Sequence, residues 1–113
     1  MAVDIQERLI ADSQFGGGAT TWAPATWYLG FSLTVPNDDG SNFVEPVGNA
    51  YARLACVNNV TNFPAATTVS GVTTKTNGAN FYLATATGFW GACLYWGFFY
   101  TATGDVPRYF NPL

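Results

Sequence analysis

The sequence predicts an all-β fold, an antiparallel β-sandwich or barrel-like single domain with a short N-terminal helix, and three observations carry that prediction. Only 10% of the 113 residues are charged while 49% are hydrophobic, the balance of a folded chain and the reverse of a disordered one. Twelve Gly and six Pro, with clustered Asn and Asp, divide the chain into short β-prone pieces. The run Cys93 to Tyr100 is apolar or aromatic at nearly every position. A strand with one wet face alternates, so this run reads as a strand covered on both faces, and in a chain this short the second cover is expected from a neighbouring chain.

Taken in order, residues 3–12 form the one helix candidate. Asp4 and Glu7 stand at capping-box spacing, and Ala2, Ile5 and Leu9 share a side. Gly16 to Gly18 follow as a joint, which sets residues 1–21 apart from a β-domain over 22–113. The helix either closes one end of the domain or is an arm that docks on a neighbouring subunit through Ile5, Leu9, Ile10 and Phe15.

From Ala25, Trp27, Leu29, Phe31, Leu33 and Val35 alternate with Tyr28, Gly30, Ser32 and Thr34, predicting a half-buried strand. Pro36 to Asn42 is dense in turn formers. A second strand is expected over 50–57, with Arg53 pointing opposite to Ala52, Leu54 and Cys56. Residues 58–79 read as a loop or weak hairpin with β-prone pieces at Thr67 to Val69 and Val72 to Thr74. Further strands are expected at Asn80 to Ala86, at 92–100 after a turn at Gly88 to Gly91, and at Arg108 to Phe110.

Charge and composition exclude several functions. A net charge of −3, with Arg8, Arg53, Lys75 and Arg108 as the only cations, offers no basic patch for nucleic acid. The aromatic run is too short to span a bilayer as a helix, and the N-terminus has acids where a signal peptide has lysines, so synthesis in the cytoplasm is expected. Cys56 and Cys93 lack the partner ligands of a zinc site and read as free, inward-facing thiols, with a disulfide between them as the alternative.

The sequence contains no histidine, which removes the commonest general base and metal ligand. Asp38, Asp39 and Glu45 are the best remaining acids. They read as turn carboxylates; a loose calcium site is the weaker alternative, since the first and last ligands of an EF-hand loop would be Val35 and Pro46. No enzyme activity, metal or cofactor is expected. Binding is left, with Tyr28, Tyr51, Arg53, Trp90, Tyr95, Trp96, Phe99, Tyr100 and Tyr109 as candidate interface residues. Aromatic side chains bury large areas while keeping a polar tip. The contrasting class is a carbohydrate-binding module, and a groove of aromatics beside an Asp or Asn would mark it.

The stretches Trp27-Tyr28-Leu29-Gly30-Phe31, Glu45 to Arg53 with its Gly-x-x-Tyr-x-Arg, Trp90-Gly91 and Thr103-Gly104-Asp105 onward resemble small structural proteins of tailed-bacteriophage virions, the tail-fibre-like, minor structural and capsid decoration family. The resemblance spans roughly residues 22–113. Gly30 and Ser32 depart from it, standing where bulkier strand residues are expected. It implies a non-enzymatic virion protein that self-associates: first a capsid cement protein on the major capsid protein, alternatively a tail, baseplate or tail-fibre-associated subunit bound to tail proteins.

Overall fold

A computed structural model describes residues 1–16 and 23–113. Its centre is a four-stranded antiparallel sheet of β1 (Thr26–Ser32), β2 (Leu54–Val57), β5 (Tyr95–Phe99) and β6 (Tyr109–Pro112), in the order β2-β1-β5-β6. A separate hairpin pairs β3 (Thr67–Val69) with β4 (Val72–Thr74), and α1 (Asp4–Gln14) precedes the sheet. The all-β antiparallel class holds, without a closed barrel. Loops serve as the layers that a second sheet would supply.

Register decides which residues share a face, because directly paired residues project to the same side. Tyr28, Gly30 and Ser32 of β1 pair with Phe99, Gly97 and Tyr95 of β5, and Gly97 pairs with Phe110 of β6. These form the first face. Trp27, Leu29 and Phe31, with Cys56, Trp96, Phe98 and Tyr109, form the second.

The first face is the more deeply buried. Gly30, Ser32, Gly97, Phe99 and Phe110 are all buried, whereas Trp27, Leu29 and Phe31 are half-buried. Small residues there leave room for the β1–β2 connection, residues 33–53, to lie against the sheet. Phe43 meets Phe99 edge-on at 5.1 Å, and a Cβ on Gly97 would come within 2.8 Å of the Phe43 ring. Ser32 Oγ donates to the Thr34 carbonyl and accepts from Thr34 N and Val44 N, so a fully buried hydroxyl is satisfied.

The helix departs from expectation at its start. Val3 is the N-cap and makes no side-chain cap, while Asp4 already lies in the helix beside Asp38, whose charge raises the Asp4 carboxyl above its usual range. The buried helical residue is Gln6, not Ile5. Val3 N donates to the Arg108 carbonyl at 2.9 Å and Phe110 N to that of Met1 at 3.0 Å, laying the first residues along the outer edge of β6. Tyr100 donates its hydroxyl to Gln6 Oε1 at 2.6 Å. The glycine joint lies outside the described residues from Gly17 onward, as does the boundary at residues 21 and 22.

Other boundaries shift as well. Tyr51, Ala52 and Arg53 precede β2 in irregular backbone, after a turn in which Gly48, Asn49 and Ala50 all have positive φ. Asn80 to Ala86 form no strand. Their alternation persists as sidedness, with Phe81 and Leu83 half-buried between exposed neighbours, but this segment lies over a face of the sheet and pairs with none of its strands. The hairpin pieces are where the sequence puts them, joined by Ser70 and Gly71, both at positive φ as a two-residue hairpin turn requires. Cys56 is 1% exposed and Cys93 half-buried, and both are free thiols. Among the described residues no helix is long and apolar enough to cross a membrane.

Candidate functional site

Two constellations occupy the two faces of the sheet. On the first, Gly30 leaves a gap above β1, and the segment from Glu45 to Arg53 fills it. Arg53 reaches Glu45 with two hydrogen bonds, Nε to Oε1 at 2.9 Å and Nη2 to Oε2 at 2.8 Å. Such a bidentate pair is both stronger and more directional than a single contact. Tyr51 donates to Glu45 Oε1 at 2.7 Å and accepts from Phe31 N at 3.0 Å. Arg53 Nη1 donates to the Thr101 carbonyl at 2.8 Å, and its guanidinium lies 3.4 Å from the centre of the Phe99 ring.

Trp90 completes this corner. It meets Tyr51 edge-on at 5.2 Å and donates Nε1 to the Asn49 carbonyl at 2.8 Å. Of the stretches that carry the phage resemblance, Glu45 to Arg53 and Trp90-Gly91 therefore converge on one part-buried polar network above Gly30. It ties three loops to the sheet. Its carboxylate is already engaged by a cation and a phenol, which makes the network a fastening.

Burial, reinforced by Glu45, pushes the Tyr51 phenol far above its usual range. The unfolded chain loses the same proton near pH 10. The sign follows: the contribution of neutral Tyr51 is full below about pH 10 and falls as pH rises above it, because the unfolded state then binds fewer protons. Burial raises Tyr100 in the same direction. An ultraviolet titration of the six tyrosines is expected to show a fraction that ionises only as the fold is lost; all six titrating together in folded protein would refute it.

On the second face the β2–β5 connection covers the sheet only in part, leaving an open groove of about 660 Å³. Leu29, Phe31, Trp96 and Phe98 form its sheet side, Phe63, Phe81 and Leu83 line it from the connection, and Lys75, Thr76, Asn77 and Leu113 complete it. The aromatics brace one another, Phe63 lying 5.8 Å from Phe81 and 6.1 Å from Phe98, and Trp96 lying 5.4 Å from Phe98.

The residues singled out from sequence are dispersed by the fold. Tyr51, Arg53 and Phe99 belong to the buried network, where the Arg53 side chain is 4% exposed. Tyr28 and Tyr95 are half-buried on the first face, and Trp90 packs on Tyr51. Tyr100 and Tyr109 pack on Trp27 at the helix end, and Trp96 alone of the nine lines the groove. Of the helix residues, Ile5 and Phe15 are exposed, and Leu9 and Ile10 half-buried. Asp39 bonds Ser41 and Glu45 bonds Arg53, so the candidate calcium ligands do not converge; among the described residues no three metal-ligating side chains gather.

Sequence reading passed over Phe63, Phe81, Gln6 and the pairing of Glu45 with Arg53. The signal for the last was present: an acid and an arginine flanking one tight turn, in a chain with only four cations.

The model of one protein family, described as podophage GP4 fiber I protein gp80, matches residues 2–113. No curated protein matches the chain.

Proposed function

We propose that this chain, which belongs to the podophage GP4 fiber I protein family, is a non-enzymatic structural subunit of the virion's fibre that assembles with further copies and with tail proteins. The family match over residues 2–113 carries the reading. It replaces capsid cement with the fibre-associated alternative, and tail proteins take the place of the major capsid protein as partners.

The surface supports an assembled role. The chain exposes 6910 Å², against roughly 6,000 Å² for a compact monomer of this mass. Every residue of β3 and β4 is exposed, including Val69 at 70% and Val72 at 64%. A lone two-stranded hairpin is marginal in water, so cover from a neighbouring chain would stabilise it.

Gold labelling of a tagged copy in intact particles tests the location: label along the fibre is expected, and label over the capsid shell would overturn the proposal. Val69→Asp with Val72→Asp should leave the sheet folded while reducing incorporation about tenfold or more, the effect of losing roughly 1.4 kcal/mol of contact. Unchanged incorporation would remove the hairpin from the contact surface.

A further inference from the structure

The groove on the second face has a chemistry that structural assembly does not use. Its volume of about 660 Å³ falls within the range of small-molecule sites. It is also two-sided. Trp96, Phe98 and Phe63 offer aromatic surface, and the consecutive residues Lys75, Thr76 and Asn77 offer the polar groups.

These polar groups are held in place. Lys75 Nζ donates to the Phe63 carbonyl at 3.3 Å, and Asn77 Nδ2 donates to that of Ala79 at 2.8 Å. The connection that supplies the aromatics thus also positions the cation and the amide, which lowers the ordering cost of binding. A molecule suited to such a groove has one C–H-rich face for the rings and an edge of hydroxyls for the amide and ammonium. Among the described residues lining the groove Lys75 carries the only charged side chain, and in a chain of net charge −3 it selects for a negative group on that ligand.

We propose that the groove is a saccharide-binding site for a pyranose ring that carries a carboxylate or another anionic group. The ring's C–H face stacks on Trp96 and Phe98, its hydroxyls meet Thr76 and Asn77, and its anion faces Lys75.

Calorimetry with trigalacturonate and its methyl ester, which share the sugar rings and linkages but differ in that esterification removes the negative charge and adds a methyl group, tests this on the full chain. Saturable binding is expected, tighter for the acid. Trp96→Ala should weaken it about tenfold or more. As Trp96 braces Phe98, Lys75→Gln provides a variant at an exposed position that leaves the fold intact; it should reduce affinity for the acid about two- to fivefold and leave the ester unchanged. Absence of saturable heat from both saccharides with folded protein would overturn the proposal. So would binding that neither variant alters, or self-association that Trp96→Ala abolishes while no saccharide binds, which would assign the groove to a second copy.

Discussion

Glu45→Ala is expected to destabilise the fold by about 3–5 kcal/mol, because it leaves a buried arginine without its counter-charge. The Arg53 side chain is 4% exposed and would keep only the Thr101 carbonyl and the Phe99 ring. Tyr51 would lose its acceptor as well. Small domains are held by about 5–15 kcal/mol in all, so this variant should stand near the edge of folding. Urea denaturation would show the midpoint falling with the slope unchanged. Replacing Arg53 by Met in the same chain should restore much of the loss, since removing both charges avoids the unpaired one. A loss below about 1 kcal/mol for Glu45→Ala would mean that water reaches Arg53 and the pair is a surface contact.

Gly30→Val should be nearly as damaging, at about 3 kcal/mol or more, and for a different reason. A Cβ at this position would come within 2.7 Å of Glu45 Oε1, 3.0 Å of the Tyr51 hydroxyl and 3.1 Å of the Phe99 ring. None of the three can yield cheaply, because the first two are bonded to each other, Glu45 also to Arg53 and Tyr51 also to Phe31 N, while Phe99 is 1% exposed. Backbone conformation plays no part, as Gly30 is not among the glycines with positive φ. Gly30→Ala should show a smaller cost, about 1–3 kcal/mol, so stability graded by side-chain size is the signature. Equal stability of the two variants and the natural protein, measured by denaturation, would place the 45–53 loop farther from the sheet.

These variants mark where sequence reasoning reached its end. Gly30 and Ser32 read as departures from a good strand, yet they lie on the more deeply buried face of β1. The large residues Trp27, Leu29 and Phe31 border the part-covered side instead. Alternation states that two faces differ. It does not state which loop will cover which face, and here the 33–53 connection covers the face with the smaller residues because only there is space for Phe43, Tyr51 and Arg53.

Local chemistry was sufficient for what depends on near neighbours. The antiparallel β class, the hairpin across Ser70 and Gly71, and the aromatic strand at 95–99 follow from turn residues, positive-φ positions and apolar runs a few residues long. Only the tertiary structure decided that most of the cover for that strand comes from this chain's own loops, that Glu45 meets Arg53 beneath Tyr51, and that Phe63 and Phe81 join Trp96 across a groove. Those contacts link residues far apart in the chain, and their energy comes from space left between distant segments, a quantity that no window of sequence contains.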